Sequence, residues 1–163
     1  MTPIATKIQP YIAPGRRVHL AGIGGVSMNP LARVLHSMGL HVQGSDQSGS
    51  EAVERLRAMG IAVHVGHEPQ DIAGAEFVIR TAAIHDDNPE IAAARAAGIP
   101  VFERAEAWGA IMRQYGNALC IAGTHGKTTT TSMATHVFMA AGKDPTVMIG
   151  GTLPMLHSGY RIG

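Results

Sequence analysis

The sequence predicts an α/β protein built on a doubly wound, mostly parallel sheet. Short apolar runs, each ending at glycine or a small polar residue, alternate with segments of about ten residues whose apolar positions recur at spacings of three and four. Glycine supplies 20 of the 163 residues, well above the usual ~7%, without a collagen-like or low-complexity period. Strands that alternate with helices need crossover connections, and crossovers join parallel neighbours.

The elements follow in order. Residues 1–15 are expected to be an irregular tail, punctuated by Pro3, Pro10 and Pro14. A first domain, residues 16–116, opens with a strand from Val18 to Ala21 that runs into Gly22-Ile23-Gly24-Gly25. Met28, Leu31, Leu35 and Met38 then form one apolar stripe of a helix, which Gly39 ends. Val42 to Gly44 is a strand leading to Ser45-Asp46, and Glu51 to Met59 a helix with Val53 and Leu56 inward. Ile61 to Val65 and Phe77 to Ile79 are strands, the first followed by Gly66-His67. Asn88-Pro89-Glu90 starts a helix with proline at its first position, running to about Ala97. Ile99 to Phe102 is the fifth strand and Glu103 to about Gln114 a helix. Tyr115-Gly116-Asn117 marks a boundary. Residues 117–163 then read as a strand (Leu119 to Ala122), a glycine loop, a helix (Thr128 to Ala141) and a last strand (Val147 to Ile149) before a Gly/Pro-rich end. Two strands and one helix leave their faces half covered. This second part is therefore expected to be the incomplete first βαβ unit of a further domain, and the chain the front of a longer protein.

Composition excludes several function classes. Thirteen Lys+Arg against twelve Asp+Glu leave a charge of +1, not the basic excess of a nucleic-acid binder. Aromatics at 4% offer few stacking platforms. Cys120 is the single cysteine, which excludes a disulfide framework and suits a reducing compartment. Its strand position predicts a buried, inert thiol. No apolar run reaches the ~18–20 residues of a membrane span, and the start lacks the apolar stretch of a signal peptide. The expectation is a cytoplasmic protein with no nucleic-acid and no membrane partner. The nine histidines form neither a His-x₃-His pair nor a Cys/His cluster, so no metal centre is expected from them.

Two glycine loops carry the chemistry. Gly22-x-Gly24-x-x-Ser27 follows a strand and opens a helix, the setting in which backbone amides and a helix N-terminus grip a diphosphate. Gly22 permits the tight turn and Gly24 a close approach, while Ser27 stands where a third glycine is usual. Asp46, at the end of the second strand, is where a carboxylate accepts bonds from a ribose hydroxyl. The second loop, Gly123-Thr124-His125-Gly126-Lys127-Thr128-Thr129, is a shortened G-x-x-G-K-T phosphate loop. Its amides would cradle the phosphates of ATP, Lys127 would bridge β- and γ-phosphates, and the Thr128 hydroxyl would ligate Mg²⁺. Asp144, before Pro145 in an expected turn, is the only carboxylate after Lys127, so the metal site is expected to be incomplete. An NAD(P)-type dinucleotide-binding module explains the first loop and leaves the second idle.

Gly22 through Met28, Gly44-Ser45-Asp46, Asn88-Pro89-Glu90, Arg104-Ala105-Glu106 and Ala122 through Thr131 together resemble the Mur ligases, in order and at matching spacing from about residue 16 to the end. The Gly-Thr-His-Gly-Lys-Thr-Thr string is specific to that group. The Ile-Gly-Gly form of the first loop resembles the branch that joins L-alanine to UDP-N-acetylmuramate more than the murein-peptide recycling branch. The resemblance implies a Rossmann-like UDP-substrate-binding domain over 16–116, the truncated start of a P-loop ATPase domain over 117–163, and a third domain outside the chain. It implies ATP-driven amide formation in peptidoglycan precursor synthesis: the lactyl carboxylate of UDP-N-acetylmuramate becomes an acyl phosphate, which the amine of L-alanine attacks. In that scheme Gly22, Gly24, Gly25, Val26, Ser27 and Met28 hold the UDP diphosphate and Asp46 faces the ribose or uracil. His67 and Thr81-Ala82-Ala83 line the same crevice, the latter where the family often has Ser-Ser-Ala. Gly123, Thr124, His125, Gly126, Lys127, Thr128 and Thr129 bind ATP, with Lys127 catalytic and Thr128 on Mg²⁺. The chain is expected to bind UDP and to be inactive alone, its L-alanine contacts lying elsewhere. An assembly module is a further reading: the unfinished second unit would self-associate through a sheet edge left open after Ile149.

Overall fold

A computed structural model of the protein describes residues 5–163, which divide into two compact units at the boundary between Gly116 and Asn117. In the first unit five parallel strands, β1 (Arg17–Ala21), β2 (His41–Asp46), β3 (Ala62–Val65), β4 (Phe77–Arg80) and β5 (Val101–Glu103), form one sheet in the order β3-β2-β1-β4-β5. Chain order reverses at β1, as the doubly wound reading requires.

Alternation along each strand divides the interior in two. Val18, Leu20, Phe77 and Ile79 face one core, with α2 (Met28–Ser37), α3 (Glu51–Ala58) and α5 (Arg104–Met112). Ala21 and Val78 face a smaller core with α4 (Pro89–Ala96), where Ile91 and Ala94 are buried. Helix α2 is the best-anchored helix: Met28, Leu31, Ala32, Val34 and Leu35 are all at most 2% exposed. Each large side chain so buried contributes about 1.5–3 kcal/mol of transfer free energy. Gly39, at φ +83°, adopts the left-handed conformation that lets the chain leave α2. The starts of α3, α4 and α5 are capped. The Ser50 hydroxyl accepts the Val53 N–H, and the Asn88 carbonyl oxygen accepts the Glu90 N–H at 3.0 Å. In α5, Glu103 N–H donates to the Glu106 carboxylate at 2.7 Å.

The expected irregular tail is corrected by the structure. Residues 1–4 lie outside the described residues. Ala5–Ile8 form α1, and Gln9–Tyr11 a single 3₁₀ turn with Pro10 near its start. Ile8 and Ile12 are buried, and the Tyr11 ring lies 5.3 Å from Phe77 and 5.6 Å from Phe102. The Gln114 side-chain amide donates to the Ile12 carbonyl at 2.9 Å. The segment is ordered by docking, and one helical turn is too short to show a period.

The second unit holds α6 (Lys127–Ala140) and two strands, β6 (Val147–Leu153) and β7 (Ser158–Arg161), paired antiparallel across a 3₁₀ turn at Pro154–Leu156. This corrects three expectations. The last strand is twice as long as expected and continues into a hairpin, whose turn uses His157 at φ +49° rather than a glycine. Residues 119–122 are not a strand, because β6 and β7 pair only with each other and leave that segment no ladder partner among the described residues. Cys120 is consequently exposed, not buried. There is no parallel βαβ unit here; one edge of β6 is covered by β7. Among the described residues no helix is long and apolar enough to cross a membrane.

Candidate functional site

The C-terminal ends of β1, β2, β3 and β4 bring most of the residues singled out in the first unit to one rim of the sheet. Between β1 and β4, where strand order reverses, the Gly22 turn meets the Thr81–Ile84 turn. A Cβ at Gly22, whose φ is +78°, would lie 3.1 Å from the Thr81 methyl and 3.2 Å from Ile84. Thr81 accepts the Ala83 N–H on its hydroxyl and the Ile84 N–H on its carbonyl, while Ala82 and Ala83 are exposed. Arg80, just before this turn, binds Glu103 at 2.8 Å and also Asp86, which in turn holds Arg95. Arg80 and then Arg95 hold the Asp86 carboxyl below its ordinary value.

The first glycine loop is largely satisfied from within. Gly22 and Ile23 N–H both donate to the Ser45 carbonyl at 2.9 Å, and Gly25 N–H to Gly22. Gly24 N–H donates to the Asp46 carboxylate at 2.8 Å, and a Cβ there would lie 2.9 Å from that carboxylate and 3.0 Å from Val53. In the structure, Gly24 is thus needed for packing against Asp46 as well as for any approach of a ligand. Met28 N–H turns back to Gly25, and its side chain is in the core. The amides left without an acceptor among the described residues are those of Val26 and Ser27, at the head of the ten-residue α2. Val26 is 86% exposed. Two unpartnered N–H groups at a helix N-terminus are donors of the kind that suits an anion.

Asp46 also accepts the Ser48 N–H at 3.2 Å, and its backbone carbonyl accepts the Gly66 N–H at 2.8 Å, which ties the His67 segment to the end of β2. Beneath the rim lies a polar cluster that composition and spacing do not announce. Glu90 is fully buried and accepts the Ser45 hydroxyl at 2.8 Å; His67 Nδ1 lies 3.0 Å from Ser45 Oγ and 3.3 Å from Glu90 Oε2. His19, also fully buried, places Nε2 3.3 Å from Glu90 Oε2 without the alignment of a hydrogen bond. Nearby, partial burial would raise the Asp71 carboxyl, but the Glu68 N–H, the His64 ring and Glu90 together bring it below its ordinary value. The sequence reading saw Glu90 only at a helix start and within a family motif. The signal that finds its second role is its position one residue past a capped helix start, facing a strand.

In the second unit the loop opens α6 with Gly126 in the left-handed conformation. The N–H groups of Lys127, Thr128 and Thr129 find no acceptor among the described residues. The Lys127 ammonium donates to the carbonyls of Gly123 at 2.6 Å and Thr124 at 3.2 Å. Gly123, Thr124, His125 and Gly126 are exposed. Thr131 and Thr135 hydroxyls return to carbonyls four residues back, which explains how a threonine-rich start is tolerated in a helix. β6 passes beside Thr128: a Cβ at Gly150 or Gly151 would meet its side chain at 3.4–3.5 Å, an ordinary van der Waals contact. The donor set suits a phosphate. For Mg²⁺ the unit offers the Thr128 hydroxyl but no free carboxylate: Asp144 is paired with Arg161, and no group of three or more His, Cys, Asp or Glu that could hold a metal occurs among the described residues.

Comparison with known proteins gives a consistent frame. The model of the Mur ligase family, catalytic domain, matches residues 17–116. A UDP-N-acetylmuramate–L-alanine ligase of Agathobacter rectalis is 48% identical over 147 residues, covering 90% of this chain and 32% of that protein. The chain thus spans about a third of the length of the curated relatives it matches. The crystal structure of a UDP-N-acetylmuramate-alanine ligase from Thermotoga maritima superposes with a TM-score of 0.81 at 36% identity, over 90% of this chain and 35% of that one. A murein peptide ligase from Psychrobacter arcticus superposes with a TM-score of 0.80 at 25% identity, over 91% and 34%.

Proposed function

From the premise that the chain belongs to the Mur ligase family, we propose that it is the nucleotide-binding portion of an ATP-dependent ligase that joins L-alanine to UDP-N-acetylmuramate. The observation that carries this reading is the pair of unpartnered amides, Val26 and Ser27, at the head of α2, beside the point where strand order reverses. A UDP diphosphate seated there would take two backbone hydrogen bonds and the favourable end of the helix dipole. Asp46, which already braces Gly24, would present its carboxylate edge to a ribose hydroxyl. His67 and the Thr81–Ala83 turn would close the sides of the crevice. The lactyl carboxylate, once converted to an acyl phosphate by ATP with release of ADP, would be attacked by the amine of L-alanine, forming the amide and releasing phosphate; the chain, which spans about a third of its relatives' length, is proposed to be inactive alone. Lys127 would neutralise charge on a transferring phosphoryl group after leaving the Gly123 and Thr124 carbonyls. In the family scheme the Thr128 hydroxyl would hold Mg²⁺ together with phosphate oxygens, and the ion would supply charge neutralisation there. A cytoplasmic location is part of the same proposal, supported by the single cysteine, which suits a reducing compartment. L-Alanine specificity is favoured over murein-peptide recycling by the higher identity to the alanine-adding structure, 36% against 25%.

Isothermal calorimetry of the 163-residue chain tests the reading. UDP-N-acetylmuramate is expected to bind with a dissociation constant in the micromolar to sub-millimolar range, of the order of −5 to −8 kcal/mol, while NADH gives no heat. No response to millimolar UDP-N-acetylmuramate, or a response to NADH alone, overturns it.

A further inference from the structure

The buried cluster under the rim fixes more than packing. Glu90 and Ser45 are fully buried, and the His67 side chain is 19% exposed. The Ser45 hydroxyl has one proton, and it points to Glu90 Oε2 at 2.8 Å. Ser45 Oγ can then offer His67 only lone pairs. His67 Nδ1, 3.0 Å from that oxygen and 3.3 Å from Glu90 Oε2, faces two acceptors and no donor. As a carboxylate oxygen, or with a proton on Oε1, Oε2 is an acceptor; a proton on Oε2 itself would make it a donor to the ring. With Oε2 accepting from Ser45, the neutral imidazole carries its hydrogen on Nδ1. Nε2, which has no hydrogen-bond partner among the described residues and is not sealed from solvent, is left as a lone pair.

We infer that Glu90 is a positioning residue: by its direct contact with Nδ1, with Ser45 as a second acceptor, it locks His67 in the Nδ1–H form and so leaves Nε2 as a hydrogen-bond acceptor for a ligand. The complementary ligand group is a donor, a ribose hydroxyl or a base N–H. This rests on the proposed nucleotide site for the identity of the ligand, but the state of the ring is a property of the free protein. The geometry also explains the cost the fold accepts here. Glu90 Oε1 is buried without a hydrogen bond, a penalty that an apolar residue at position 90 would avoid only by taking the acceptor from the Ser45 hydroxyl.

Nitrogen-15 NMR of the imidazole rings in the 163-residue chain, at about pH 8 where an ordinary histidine is neutral, reads the ring directly. Wild type is expected to show His67 protonated on Nδ1 and bare on Nε2. In Glu90→Gln the side-chain amide can turn a donor toward the ring, and the population is expected to shift to Nε2–H, with affinity for UDP-N-acetylmuramate falling about tenfold. Ser45→Ala keeps the direct Glu90 contact and is expected to keep Nδ1–H. A wild-type ring in the Nε2–H form overturns the inference without any variant having to fold, as does an unchanged ring in Glu90→Gln or a switched one in Ser45→Ala. A wild-type ring as expected with no nucleotide binding instead sinks the functional reading and leaves the positioning intact.

Discussion

Helices α2 and α6 follow glycine loops of the same general kind and meet opposite fates. In α2, seven of ten residues are buried, including Met28, Leu31 and Leu35. In α6, fourteen residues long, only Thr135 is buried, and Met133, Val137 and Phe138 are 56%, 67% and 44% exposed. The apolar residues of α2 lie on one stripe that a five-stranded sheet covers; those of α6 meet a two-stranded hairpin too small to cover them. Intrinsic helix preference does not separate the two, since α6 is richer in threonine and yet longer. What differs is the apolar area each removes from water, and the first unit should therefore supply nearly all of the stability.

The sharpest way to break that contrast is a matched pair of glycine substitutions. A Cβ at Gly44 would sit 2.5 Å from the Leu20 carbonyl oxygen and 2.8–2.9 Å from Ile23, with backbone that cannot yield. Gly44→Ala is expected to cost about 3 kcal/mol or more in urea unfolding followed by circular dichroism. Gly142→Ala, at φ +68° with open space around it, should cost about 1 kcal/mol through backbone strain alone. Equal effects would show that the second unit is as tightly built as the first. Next comes truncation of each helix. Leu35→Ala is expected to cost about 2–5 kcal/mol, and Val137→Ala no more than about 0.5 kcal/mol, read in the same experiment. A large loss in Val137→Ala would mean that α6 is covered in solution.

The smallest effect is on acid stability. Because the Asp71 carboxyl is lowered in the folded protein, its contribution is present above its ordinary value of 3.8 and is lost as pH falls through the folded value. Between about pH 6 and about pH 3, the wild-type urea midpoint should fall more than that of Asp71→Asn. Parallel curves would remove Asp71 from the account.

The same contrast sets how much was legible beforehand. The five strands and the helices between them were readable because each apolar stripe has its partner in the chain: Leu31 and Leu35 repeat at helical spacing against strands that alternate. Residues 119–122 misled because an apolar run specifies a strand only when another strand accepts its hydrogen bonds. The β6–β7 hairpin was missed because its turn places His157, not glycine, in the left-handed region. In the candidate site, the loop and Asp46 were visible as motifs, but which amides remain unpartnered is a matter of three-dimensional pairing. Gly24 N–H goes to a carboxylate 22 residues away. Glu90 escaped notice for the same reason, since its partners come from β1, β2 and the segment after β3.

Lys127 adds a constraint on what the second loop can hold. Its ammonium already rests on two carbonyls of its own turn, so an incoming anion competes with an internal solvation shell instead of meeting a bare cation. A weakly charged visitor gains little by displacing those oxygens, whereas a di- or triphosphate offers several negatively charged oxygens at once. Under the proposed function the loop would thereby discriminate by charge density before any base or sugar is recognised.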